Sequence, residues 1–385
     1  MPEAVVVDAI RSPIGRAFKG SLTPMRPDDL GAQVVNKLLE RNPEIDPSAV
    51  EEVACGVGLP QGKQAFNLAR IIVLLSNLPD TVNGVTTSRY CASGLDAVRW
   101  AANNVKAGQG DIYIAAGVEA VSHFNERQEA AGEADQHSDL QGEGDQPDAY
   151  IQMGVTAENV AEKYGVSRED QDAYAQSSQE RAVAAQESGA FDREIVAIDM
   201  PDGSQVSKDD GPRAGSSVEK LGQLDPVFRE GGTVTAGNSC PLNDGAAAVL
   251  ITSEEKAAEL GLTPRARIKT AATAGLEPEL MGVAPIGAMN KLLDRAGMSI
   301  GDIDIVELNE AFAAQVLPIM DEVGFDRDML NPHGGAIALG HPFGMTGARI
   351  MATLINDLET HDGTFGIETM CVAGGQGEAM LIERL

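Results

Sequence analysis

A chain of 385 residues with 43% hydrophobic content can bury one large core or two medium ones, and two domain-sized units are expected. Its formal net charge of -29 argues against nucleic acid or anionic membrane as partners, because counterion release cannot join two polyanions, and a phosphorylated substrate would need a local basic patch. Four scattered cysteines make no disulfide framework, no run reaches the roughly 18 apolar residues of a membrane span, and the start lacks an export signal, so a cytoplasmic protein is expected.

In chain order, Ala4 to Ala9 reads as a buried strand, Asp29 to Leu39 as a helix, Val53 to Gly56 as a strand and Ala65 to Leu75 as a second helix. The strand-like run Thr81 to Thr87 leads into Cys91, and Asp96 to Val105 has helical spacing, so Cys91 is expected where a strand turns into a helix. Ile112 to Ala116 is the next strand. This alternation implies a parallel or mixed sheet covered on both faces. Glu133 to Asp148 is acidic and aperiodic, a solvated loop, and the spacing of His123 and His137 matches no metal site. Helices follow at Met153 to Tyr164 and Arg168 to Gly189, the second capped by Ser167, before the chain returns to the sheet near Cys240. Ala246 to Thr252 and Arg265 to Thr273 are strands. A weak repeat sets Val53 against Val306 and Gly94 against Gly347 at one common spacing, which would bring two strand-to-helix turns together.

Four stretches carry chemistry. A cysteine at the head of a helix can be a thiolate nucleophile, which points to Cys91. His341, framed by Gly334, Gly335, Gly340 and Gly344, would be a general base beside it. Cys371 precedes the glycine turn Ala373-Gly374-Gly375, whose amides can face an oxyanion, and Asn309 can hold a water or a carbonyl.

These stretches resemble the thiolases along nearly the whole chain. Cys91-Ala92-Ser93-Gly94 looks like their nucleophile motif, Asn309-Glu310-Ala311-Phe312 the asparagine motif, Gly340-His341-Pro342 the histidine motif, and Cys371 with Gly374-Gly375 the second-cysteine motif. The resemblance implies an α/β thiolase fold: two similar βαβαβαββ halves in five layers, α-β-α-β-α, with an inserted helix-rich loop domain. It assigns 1–120 with 241–262 to the first half, 121–240 to the insertion and 263–385 to the second half.

It implies a 3-ketoacyl-CoA thiolase or acetyl-CoA acetyltransferase in which Cys91 takes the acyl group, His341 receives its proton and Cys371 exchanges a proton with the acetyl α-carbon. His341 with a water on Asn309 would form one oxyanion hole, and the amides of Cys91 and Ala373 the other. Arg213 would lie near the CoA phosphates, with Met153, Phe228, Ala236 and Phe312 along the pantetheine tunnel and Cys240 and Gly344 also at the substrate. CoA is a substrate, no metal or redox cofactor is implied, and the assembly would be a homodimer or homotetramer. Three positions depart from the family pattern: His333 stands for asparagine, Ala373 for glycine and Cys240 for serine. A ketoacyl-synthase-like condensing enzyme and a non-catalytic acyl-CoA or lipid-binding protein of the same fold are the alternatives; Cys371 argues against the first, and the presence of Cys91, His341 and Cys371 against the second.

Overall fold

The computed structural model describes residues 2–123 and 136–385. Its strands are β1 (Ala4–Arg11), β2 (Gly15–Arg16), β3 (Glu52–Gly56), β4 (Asn83–Thr87), β5 (Ile112–Ala120), β6 (Ile198–Asp199), β7 (Gln205–Val206), β8 (Asn243–Ser253), β9 (Ala266–Gly275), β10 (Ile305–Leu308), β11 (Phe365–Val372) and β12 (Gln376–Arg384). Nine of them run in the order β10-β11-β12-β9-β1-β8-β5-β3-β4, with β2 on β8, and the ladder crosses between halves at Val5–Arg267 and Val6–Ala266.

The halves repeat one pattern. β3 is parallel to β5 and β10 to β11; β5 is antiparallel to β8 and β11 to β12; β8 is antiparallel to β1 and β12 to β9. Val53 pairs Ile114 and Val306 pairs Ile367, so the spacing seen in the sequence is a structural repeat.

Alternation along the strands makes the layers. In β8, Ala247, Val249 and Ile251 face a central core, while Ala246, Ala248 and Leu250 face an outer core with the helix Pro27–Arg41. In β12, Met380 and Ile382 face the same central core, and Ala379 and Leu381 an outer one with the helices Ala284–Ala296 and Ala313–Val323. The central core holds the helices Ser93–Lys106 and Thr346–Thr360. The five-layer expectation therefore stands, with the two layers of strands hydrogen-bonded into one sheet.

Gly94 and Gly347 mark where the central helices cross. A Cβ on Gly347 would sit 2.1 Å from the Leu95 amide nitrogen, and one on Gly94 would sit 2.8 Å from that of Ala348.

The expected helix over Arg168 to Gly189 forms as Arg168–Ser188, with Ser167 accepting from the Asp170 amide and Gly189 left-handed beyond its end. Within the predicted acidic loop, Glu133 and Asp135 lie outside the described residues. The part beyond them is exposed and holds one 3₁₀ turn, Ser138–Leu140.

Candidate active site

Cys91 occupies a 3₁₀ turn, Tyr90–Ala92, between β4 and the helix Ser93–Lys106, as its setting in the sequence predicts. Ser93 fastens the turn: its hydroxyl donates to the Tyr90 carbonyl at 2.6 Å and accepts from the Arg89 amide at 2.8 Å. Tyr90 itself sits at φ +44°, a left-handed conformation that bulky residues rarely adopt.

His341 lies at the end of the glycine-framed loop and is buried. Gly340, at φ +114°, is required there, because a Cβ would meet the Asn243 carboxamide at 2.4 Å. That carboxamide accepts from the His341 amide at 3.1 Å and donates to the Gly15 carbonyl at 2.9 Å. The Thr346 hydroxyl donates to the Pro342 carbonyl at 2.9 Å, so its contact of 2.7 Å with His341 Nδ1 assigns the ring proton to Nδ1. Nε2 keeps its lone pair, 3.3 Å from Asn309 Nδ2, while among the described residues Asn309 Oδ1 has no hydrogen-bond partner.

Cys371 ends β11, opposite Gly377 of β12, and its sulfur accepts from Gln315 Nε2 at 3.1 Å. The hairpin beyond it turns through Gly374 and Gly375, both at φ +77°.

Burial raises the Cys91 thiol well above its ordinary range, with smaller contributions from Cys371, Cys240 and Glu119. It also drops His341 to about 3, and Arg349 adds to that. At rest Cys91 is therefore a thiol and His341 a neutral imidazole. Desolvation outweighs the helix dipole here. Burial also lifts Cys371 to about 11, against the opposing hydrogen bond from Gln315, and Cys240 to about 12.

Cys91, Met153 and Ala373 line one cavity of about 480 Å³, together with Phe343. The Phe343 ring stands edge-on to His341, with centroids 5.1 Å apart. Cys371 and Phe312 share an apolar cluster with Met153, Phe228 and Cys240, in which the Phe228 and Phe312 rings meet edge to face at 6.1 Å.

Three predicted site residues lie elsewhere. Arg213 is exposed and borders a separate cavity of about 230 Å³, and Ala236 is exposed in a turn. Gly344 is buried where the His341 loop meets the first half; its amide donates to Glu119 Oε2 at 2.9 Å, and a Cβ would strike the Val118 carbonyl at 2.4 Å. Sequence reasoning missed Thr346, Gln315, Asn243 and Glu119. Only Gln315 left a signal, as a lone amide inside the apolar run Ala313 to Leu317. Among the described residues no group of three or more His, Cys, Asp or Glu side chains is arranged to hold a metal, and His123 instead contacts the Met25 carbonyl and Lys63.

Family models described as the N-terminal and C-terminal domains of thiolase match residues 4–255 and 262–384. The chain belongs to the thiolase family. A thiolase from Escherichia coli K12 named for 3-oxoadipyl-CoA and 3-oxo-5,6-dehydrosuberyl-CoA is 44% identical over all of both chains. The acetyl-CoA acetyltransferase of the same organism is also 44% identical over all of both. The dimeric peroxisomal thiolase of Saccharomyces cerevisiae superposes with a TM-score of 0.94 at 39% identity, covering 100% of this chain and 98% of that one. The chain is thus an enzyme of the thiolase type, and these matches favour that reading over the ketoacyl-synthase alternative.

Proposed function

We propose that this thiolase works through an acyl-Cys91 intermediate, cleaving 3-ketoacyl-CoA with CoA or running the reverse condensation. The observation that carries this reading is the tautomer of His341: with Nδ1–H committed to Thr346, the Nε2 lone pair is the acceptor for the Cys91 proton. In cleavage, the sulfur attacks the 3-keto carbon as its proton passes to His341 Nε2. The bond between the α- and β-carbons then breaks, and the released acetyl-CoA enolate takes a proton from Cys371. The CoA thiol finally gives its proton to the Cys371 thiolate and attacks the Cys91 thioester, and the departing Cys91 sulfur takes its proton back from His341.

The protonated His341 Nε2–H and a water on Asn309 Oδ1, which has no partner among the described residues, stabilise the enolate oxygen, and the amides of Cys91 and Ala373 the other oxyanion. Every step uses side chains and backbone of this chain, with CoA as a substrate. Arg213 receives the CoA phosphates; burial and then the positive charge of nearby Arg16 lower its pKa, and the two arginines make a local basic patch in an acidic protein.

The active form is a homodimer, by analogy with the dimeric yeast enzyme. β4 is the outermost strand of its half, and beside it Phe66, Leu74 and Leu75 are exposed, at 93%, 54% and 49%. Among the described residues no helix is long and apolar enough to cross a membrane, and a cytoplasmic location is part of this reading. The test is acetoacetyl-CoA consumption in the presence of CoA. Cys91→Ala is expected to lose at least about a thousandfold in kcat, and turnover surviving that substitution removes the mechanism.

A further inference from the structure

The two amides assigned to the second oxyanion hole come from different halves of the chain. Cys91 lies in the turn Tyr90–Ala92 and Ala373 in the hairpin between β11 and β12, with the turn packed against β11. Hydrophobic burial has no direction, so it does not by itself fix the gap between two amides. A charged group reaching from one piece to the other does.

Glu378 is such a group. It is fully buried in β12, opposite Met370 and one residue beyond the partner of Cys371, on the strand face that carries Met380 and Ile382 into the central core. Its carboxylate lies 3.5 Å from Arg89 Nε and 3.2 Å from Arg99 Nη1. Among the described residues, every ion pair from Arg89 or the helix Ser93–Lys106 to that hairpin ends on Glu378. Asp96 steadies both arginines, in contact with Arg89 Nε and 2.7 Å from Arg99 Nη2. Arg89 in turn brackets the nucleophile: its amide donates to the Ser93 hydroxyl at 2.8 Å, and its carbonyl accepts from the Ala92 amide at 3.0 Å. On the other side, Gln376 Nε2 donates to the Ala373 carbonyl at 3.2 Å.

A carboxylate is costly at this place. An apolar side chain of similar volume would serve the core as well or better, so stability does not account for Glu378. Burial and the neighbouring Asp96 raise its carboxyl to about 8, against Arg99 and Arg89, so the charge that draws the two arginines in forms above neutral pH. Glu368, the diagonal neighbour across the ladder, adds a second buried carboxyl to this face.

Resting on the thiolase reading above, we propose that Glu378 is a positioning residue: through Arg89 and Arg99 it sets the spacing of the Cys91 and Ala373 amides, and with it the rate of acyl transfer onto Cys91.

Two rates are compared at about pH 9, where Glu378 is ionised. One is the formation of acetyl-Cys91 after mixing with acetyl-CoA; the other is exchange of acetyl-CoA α-protons with deuterated water once that acylation has equilibrated. The first uses the paired amides, the second His341, Asn309 and Cys371. Glu378→Gln, which keeps the shape and removes the charge, is expected to slow the first about tenfold or more and the second less than about twofold. Arg99→Gln, on the partly exposed side of the pair, is expected to slow the first about threefold with the same selectivity. An equal fall in both rates, or no fall, in either variant that folds overturns the positioning role. Wild type that places no acetyl on Cys91 overturns the thiolase reading instead, and this inference with it.

Discussion

At Cys91 two effects oppose each other. The helix that follows favours a thiolate, burial favours the thiol, and burial wins in the resting enzyme, with Cys371, Cys240 and Glu119 adding to it. The same dry setting holds His341 to about 3 against an ordinary 6.5, which has two consequences. First, no acid limb from His341 is expected near pH 6.5 in the kcat/KM profile of the free enzyme. Second, between about 6.5 and 3 the unfolded chain binds a proton that the folded one refuses, so the stability linked to His341 is full above 6.5 and is lost as pH falls. Denaturant titrations of wild type and His341→Asn across that range should show the slope in the first and a flatter one in the second. At Cys371 the amide of Gln315 is the group that opposes burial. Gln315→Leu is expected to slow exchange of the acetyl-CoA α-protons with deuterated water about tenfold, while acyl transfer onto Cys91 persists.

Two central helices hold the pieces of the site together, and they can do so only where their backbones touch. Gly347→Ala would push a Cβ into the Leu95 amide, so a loss of about 1–3 kcal/mol and a lower Tm are expected by calorimetry. Gly301→Ala, whose Cβ would meet only the end of the Ser299 side chain at 3.8 Å, should leave Tm nearly unchanged. The elements were largely legible because strands and helices here follow the periods of 2 and 3.6: β3, β5 and the helix Met153–Tyr164 fall where the apolar pattern places them. The repeat was legible through glycines, since close helix crossing leaves few alternatives to them. What escaped was the support around each reactive group. Thr346, Asn243 and Glu119 are ordinary polar residues on a helix, a strand start and a strand end, and only the folded arrangement aims them at His341 or at the Gly344 amide. How far burial opposes the thiolate at Cys91 was not legible either: burial is a property of the packed core and has no local signature.

Across the whole molecule, the outer edge of β4 and the exposed Leu74 and Leu75 form a surface suited to a second copy. Leu74→Glu is expected to shift the protein from dimer to monomer in sedimentation velocity runs, and an unchanged sedimentation coefficient would place the interface elsewhere. The formal charge of -29 adds a second expectation: self-repulsion is screened by salt, so Tm should rise as ionic strength is raised from a few millimolar.

The most direct measurement is made on the sulfur itself. The enzyme is mixed with acetyl-CoA, quenched in acid and digested, and the acetyl label is located by peptide mass spectrometry. The label is expected on the peptide carrying Cys91, and absent from that peptide in Cys91→Ala. Acetyl found instead on Cys371 or Cys240, or a turning-over enzyme that carries no acetyl on any cysteine, would contradict covalent catalysis at Cys91.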